Sequence, residues 1–352
     1  MILGVVLGEF VPSVRNALDT AKLRSVSVPI ALGLVVMMWP PLTKVRYDKL
    51  PSAFGTSRLW KQLGISTALN WIVGPSVMLG LAWATLPDLP TYRTGVILVG
   101  VARCIAMVER YWLDIARGDT DYCAIVVVIN ALLQIALFSP YCVLFINVIG
   151  GREQANVQVS YGDVAISVLI YLGIPLLAGI ITRYGVIALT SADFFQQKFL
   201  PFFDPLAVIG LLYTIIIIFS YQGHSIIRNL GPVFRVIVPQ VLYFVIMWTS
   251  TFYLIHHLSL RESKSHSKQV YGYEMAVAQA FTAASNNFDD RLADLTVDCP
   301  PCSQQALAAS IGPLTEVPVL LGLSWVALYL RQKLDWGTKR TSGSYNLPQI
   351  TQ

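Results

Sequence analysis

Charge is what this sequence has least of: Asp, Glu, Lys and Arg make up 13% of its 352 residues, about half the usual share in a soluble domain. With 55% hydrophobic residues, that scarcity excludes an ordinary soluble globular domain and points to an integral membrane protein. The net charge of +5 is no nucleic-acid signal, because Lys and Arg sit between apolar runs rather than along one basic face. Metal-binding residue types are equally sparse. Cys104, Cys123 and Cys142 lie in or beside apolar runs, and Cys299 and Cys302 form a close pair with no second pair in range, a weak zinc or redox signature. His256 and His257 at a helix end and His266 in a basic loop read as solvated. There is no Gly-rich loop ending in Lys-Ser or Lys-Thr and no His-Glu metal helix. Neither ATP hydrolysis nor any other enzymatic activity is therefore expected, and no cofactor. The opening run has no basic region followed by a small-residue cleavage site, and reads as the end of a first helix whose beginning is missing.

What is present is a succession of apolar runs. A chain of this length has room for about ten spans of about 20 residues, and ten segments can be marked: residues 1–11, 26–42, 65–86, 92–108, 122–149, 164–182, 206–221, 233–258, 272–288 and 306–330. The third carries Asn70 and a Gly74-Pro75 break. The reading is an all-α membrane protein with about ten transmembrane helices. Residues 1–150 form a first five-helix repeat, with its first helix truncated, and residues 163–335 a second; residues 336–352 are a disordered cytoplasmic tail. An even number of crossings puts both termini on one side. The positive-inside rule makes that side cytoplasmic, since its loops hold 15 Lys and Arg residues against seven opposite. Five crossings per half send the second half into the membrane from the other face, as in an inverted-topology repeat.

Segments four and nine then correspond, and both are unusual. Segment four carries Arg103 and Cys104 in its middle, and an ionisable residue inside a membrane segment is costly unless it has a partner or a task. Segment nine is built of small residues and breaks at Ser285, Asn286 and Asn287. Transporters place interrupted helices at such matching positions, so helices four and nine are predicted to be interrupted and to face each other near the midplane. Arg103 beside Cys104 favours a thiolate, a nucleophile and soft-metal ligand; Cys104 reads equally as a small buried hydrophobe. Asn286, Asn287 and Asp289 offer oxygens where a helix could unwind, unless the helix simply ends at Ser285. Glu316, between Pro313 and Pro318, suits a proton carrier if burial raises its pKa, or else pairs with Arg103.

Five motifs carry a family resemblance: Pro29-Ile30-Ala31-Leu32-Gly33 with Met37-Met38-Trp39-Pro40-Pro41, Asn70-Trp71-Ile72-Val73-Gly74-Pro75, the Arg103-Cys104 run of residues 98–108, the Ser285-Asn286-Asn287 run of residues 281–288, and the Glu316 run of residues 312–320. They resemble the arsenite efflux permeases of the arsenical-resistance-3 family, within the superfamily of bile acid, arsenite and riboflavin transporters. The resemblance spans nearly the whole chain. It implies a ten-helix permease that exports As(III) in exchange for protons, with antimonite a further candidate substrate; with no organelle signal in the sequence, the plasma membrane is the expected location. The family's essential cysteine matches Cys104, the thiol that would take As(III) as substrate. Arg103, Asn70, Asn286 and Asn287 would line the binding site, and Asp289 and Glu316 would couple protons. The family has glutamate where this chain has Asp289, a carboxylate drawn back by one methylene.

Two further departures stand out. Glu109, Arg110 and Tyr111 interrupt an apolar run of the family. Residues 290–302 carry four Asp or Arg residues and two prolines, which cannot span lipid at about 2.5 to 3.5 kcal/mol per charge. Either that run reflects a reading-frame or splice error in the gene model, or the ninth helix is truncated. The alternatives are a sodium-coupled organic anion transporter, with oxygen-rich cation sites and no need of Cys104, and an inactive membrane partner or sensor.

Overall fold

The computed structural model describes residues 2–10, 22–23, 26–45, 47, 57–103, 108–149, 173–264, 271–286, 307–308 and 311–336. Several expectations fall outside them: Cys104, Asn287, Asp289, His266, residues 290–302 with Cys299 and Cys302, and residues 337–352.

The described residues are helical apart from one minimal antiparallel pair, β1 (Lys22–Leu23) with β2 (Val26–Ser27). In chain order the helices are α1 (Ile2–Phe10), α2 (Val28–Lys44), α3 (Ser57–Ala68), α4 (Gly74–Thr85), α5 (Pro90–Val101), α6 (Val108–Ala116) and α7 (Thr120–Cys142). They continue with α8 (Ile174–Leu189), the short α9 (Ala192–Phe194) and α10 (Leu200–Phe203), then α11 (Pro205–Arg228), α12 (Leu230–Lys264), α13 (Tyr273–Ala284) and α14 (Gly312–Lys333). Four helical stretches among the described residues are long and apolar enough to cross a bilayer by themselves: Leu59–Thr85, Ala192–Ser220, Leu230–Glu262 and Leu314–Lys333. Tyr122–Gln134 and Ala136–Phe145 make a fifth if their 50° bend belongs to one span; Pro140 inside the helix removes a backbone bond and bends it there. The exterior carries large apolar side chains such as Ile72, Ile181, Phe202, Ile209, Phe234 and Trp325. Exposure on that scale makes sense only where lipid replaces water, and the chain is a multi-pass membrane protein.

The proline-containing segments two and three both stay helical. Pro40 and Pro41 lie inside α2, which runs on to Lys44. The Gly74-Pro75 break interrupts nothing, because a π-helical turn at Leu69–Val73 joins α3 to α4 and Pro75, which has no N–H to give, follows directly where the π turn passes into α4. Segment four, by contrast, is cut in two. Helix α5 ends at Val101, Ala102 is extended with φ −79° and ψ 123°, and the interpolated charged residues 109–111 lie in a second half-helix, α6.

Packing sorts the helices into two groups. One holds α1 along α11, α11 against α2, and α2 against α8. Its helices approach closely through glycines: a Cβ on Gly8 would overlap the carbonyl oxygen of Ser220, and one on Gly210 would lie 2.6 Å from the backbone nitrogen of Met37. Small residues of this kind let membrane helices pack without a hydrophobic driving force. In the other group α12 packs on α13, α14 and α4, α4 on α5, α6 on α14 and α13, and α7 on α13. At its centre lie α5, buried from Tyr92 to Val101, and α13, buried throughout except at Glu274. Both are buried on every side, as helices enclosed by others are.

Polar contacts tie helix ends together across the bundle. Lys44 pairs with Asp204, Trp39 Nε1 donates to Thr182 Oγ1 at 3.0 Å, Arg235 grips Asp88 through two bonds of 2.7 and 2.5 Å, and His224 Nδ1 lies 3.0 Å from Glu9 Oε2. His256, expected to be solvated, is engaged instead. Its Nε2 donates to the Asp335 carbonyl at 2.9 Å and its ring stands edge-on to Trp336. Trp336, the first residue assigned to the tail, is buried against Phe252 and Tyr273.

Candidate functional site

The two enclosed half-helices end at the same place. Helix α5 stops at Val101 and α13 at Ala284, and the extended residues that follow meet in an antiparallel backbone bridge between Arg103 and Asn286. The last carbonyls of any helix have no partner within it and must find donors elsewhere. Arg103 supplies them. Its side chain is fully buried, and one guanidinium nitrogen donates both to the Gly100 carbonyl at the end of α5 and, at 2.8 Å, to Asn286 Oδ1. The other terminal nitrogen donates to Tyr243 Oη on α12 at 2.7 Å, and that hydroxyl donates in turn to the Ala283 carbonyl at the end of α13, at 3.1 Å. The backbone N–H of Arg103 is taken by Gln134 Oε1 on α7 at 3.1 Å.

Every oxygen that the guanidinium meets among the described residues is neutral. Glu316, one sequence-level candidate for its partner, is buried on α14 but is not bonded to it. Beside Glu316, Thr315 donates to Gln240 Oε1 at 2.9 Å. Room for the guanidinium comes from Gly74. A Cβ there would overlap one guanidinium nitrogen and stand 2.9 Å from Tyr243 Oη, so this glycine matters for space rather than for breaking a helix. Three groups at the crossing are buried without a hydrogen-bond partner among the described residues: Arg103 Nε, Asn286 Nδ2 and Ser285 Oγ. All three donate, and buried donors left unpaired are costly.

Asn70 is fully buried on the π-helical turn but bonds to neither Arg103 nor Asn286. Its Nδ2 turns back to Ser66, 2.8 Å from the carbonyl and 3.3 Å from Oγ, and its Oδ1 has no partner among the described residues. Ser66 and Gln62 share its helix face at four-residue spacing, and a buried polar seam continues from them. Gln279 Nε2 on α13 donates to Tyr122 Oη at 2.7 Å and to the Gln62 carbonyl at 3.0 Å.

The structure thus brings Arg103 and Asn286 into contact, with Ser285 beside them; Asn70 and Glu316 lie on neighbouring helices, bonded elsewhere. Cys104 and Asn287 are joined to the bridge residues by one peptide bond each. Among the described residues no cluster of three His, Cys, Asp or Glu side chains could hold a metal ion. Sequence reasoning missed Tyr243, Gln134 and Gln279. Gln134 and Gln279 had a signal, an amide within an apolar run, whereas Tyr243 is indistinguishable by sequence from the other membrane aromatics.

Comparison with known proteins agrees with this architecture. Residues 31–229 match the Sodium Bile acid symporter family. The chain is 42% identical over 337 residues to the arsenical-resistance protein Acr3 of Corynebacterium glutamicum, covering 95% of this chain and 87% of that protein. It is 26% identical over 339 residues to Acr3 of Alkaliphilus metalliredigens, covering 92% and 87%. It is also 29% identical over 342 residues to an uncharacterized transporter of Synechocystis, covering 92% and 84%. Its relatives are transporters rather than enzymes. On the extent of these matches, the chain belongs to the Sodium Bile acid symporter family and, within it, to the Acr3 arsenical-resistance branch.

Proposed function

We propose that this protein exports arsenite, As(III), from the cytosol in exchange for protons, with antimonite as a second substrate, and that it does so in the plasma membrane. The observation that carries the reading is the Arg103–Asn286 bridge between the extended residues that follow α5 and α13; transporters bind substrate near the midplane where helices are interrupted in this way. The names of the two Acr3 relatives support the substrate. As(III) is soft and thiophilic, so a single thiolate captures it reversibly where several would hold it too tightly for turnover. Cys104, one residue beyond Arg103, supplies that thiol. Arg103, Asn70, Asn286 and Asn287 line the site through donors and amide oxygens. A proton arriving from outside at Asp289 or Glu316 accompanies the return step.

The remaining architecture we infer as ten helices in two inverted repeats of residues 1–150 and 163–335, with both termini cytoplasmic. Alternate crossing places the ends of segments two and six and the start of segment seven on one side, and Trp39–Thr182 and Lys44–Asp204 join those ends. It places the turn after segment three and the start of segment eight on the other, and Asp88–Arg235 joins those. The packing also supports the repeat: moving every segment on by five turns the α1–α11 pair into α8–α2, the α4–α5 pair into α12–α13, and the α5–α7 pair into α13–α14.

The test is arsenite uptake into everted vesicles driven by an imposed proton gradient. Cys104→Ser should abolish uptake with the protein still in the membrane, and an uncoupler should abolish it in the wild type. Full activity of the serine variant would remove Cys104 from the mechanism. A sodium-coupled organic anion carrier, the reading suggested by the family's description, would survive thiol blocking and the uncoupler but lose uptake without sodium.

A further inference from the structure

The crossing holds a cation that cannot leave. The ends of α5 and α13 direct their last carbonyls, Gly100 directly and Ala283 through the Tyr243 hydroxyl, toward one point, and the Asn286 amide oxygen completes the set. Helix C-termini carry partial negative charge, and unwound carbonyls at half-helix ends are where ion-coupled transporters coordinate sodium or protons. Here that oxygen-lined point is filled by the Arg103 guanidinium, fully buried, over the Tyr243 ring at 5.8 Å, with no carboxylate bonded to it among the described residues. A buried charge is normally paired with an opposite one; this one is solvated by neutral oxygens, as an alkali cation would be. The missing side chain at Gly74 gives it the space.

We propose that Arg103 is a built-in counterpart of a coupling cation: its guanidinium occupies the position between the two broken helices that a mobile sodium ion would take, and so makes the cycle independent of sodium. The assignment rests on reading the crossing as the transport site. A fixed positive charge repels a second cation strongly in a low-dielectric site, and its own stem keeps it present at every stage of the cycle. The consequence is that the two helix ends are held together whether or not an ion is available outside, which suits a transporter driven by another gradient.

The experiment uses the purified full-length chain in detergent, with radioactive sodium binding and thermal unfolding as readouts, in about 150 mM sodium chloride or choline chloride. Wild type should bind no sodium above background and melt at the same temperature in both salts. Arg103→Ala should bind sodium saturably, approaching one ion per chain, and melt higher in sodium than in choline; millimolar guanidinium should stabilise it in the same way. Saturable sodium binding by the wild type overturns the proposal, as does a folded Arg103→Ala that responds to neither ion. If the alanine variant does not fold, Arg103→Lys keeps a tethered cation and must remain indifferent to sodium, and a response there overturns the proposal too. If neither variant folds, the wild-type measurement decides alone. None of these readouts uses arsenic. The expected pattern in a chain that moves no arsenite discards the substrate and keeps the role of Arg103, whereas sodium-binding wild type that does move arsenite does the reverse.

Discussion

Tyr243 is the residue on which the two helix ends depend most directly, because its hydroxyl both accepts from Arg103 and donates to the Ala283 carbonyl. Tyr243→Phe keeps the ring and strands a guanidinium nitrogen, a change expected to lower stability by about 1 to 3 kcal/mol. Thermal unfolding in detergent, with arsenite transport measured alongside, checks both the loss of stability and the expected fall in rate. Gly74 gives a sharper comparison. Gly74→Ala drives a methyl into Arg103 and should destabilise by roughly 1 to 3 kcal/mol, while Gly80→Ala, where nothing lies within 4 Å, should be neutral or stabilise by up to about 1 kcal/mol. Equal effects at the two glycines would show that the guanidinium is not held where we describe it. At this scale Arg103 and Asn286 were legible in the sequence because a charge and an amide stand out inside apolar runs. Tyr243 was not, since a hydroxyl on a membrane aromatic gives no hint of what it bonds.

Among elements, the glycine-lined contact of α1 with α11 and the ion pair between the α4–α5 turn and α12 can each be tested apart from the site. Gly8 meets backbone, the carbonyl of Ser220, and backbone cannot swing aside as a side chain can. Gly8→Leu should therefore separate α1 from α11 and cost on the order of 1 to 3 kcal/mol, read as a lower melting temperature and faster proteolysis near the N-terminus. The Arg235 guanidinium hydrogen-bonded to Asp88 holds that carboxyl below its ordinary range. A carboxyl so lowered contributes stability that is present above its unfolded pKa and lost as pH falls through its folded one. The loss therefore belongs to the acid limb, below about pH 4. Both partners are exposed, so the contribution is small and weakened by salt; at low ionic strength Asp88→Asn should lower neutral stability slightly and flatten the acid limb by the same small amount. The elements were legible unevenly. Long apolar segments such as eight and ten became α12 and α14, while the continuity of α3 with α4 across Gly74-Pro75 was not readable. A π turn accommodates that proline, and it is set by packing around Asn70 and Trp71, both buried.

For the molecule as a whole, the helix-end contacts and the charge distribution lead to one expectation about orientation. A fluorescent protein fused after Gln352 should glow, and a phosphatase there, which works only outside, should be inactive; the opposite pattern would invert the assignment. Composition alone determined that this chain enters a membrane, because so few charges leave no way to cover a surface with water. The order of apolar runs determined the segments, and the two polar interruptions marked where a site had to be, since lipid tolerates no unsatisfied backbone. Which segments pack together, that Arg103 turns to neutral oxygens rather than to Glu316, and that Gly74 makes room for it were decided only by the tertiary structure. Those outcomes depend on distances between residues up to 217 positions apart, and no local pattern encodes which of several buried acceptors a long side chain will reach.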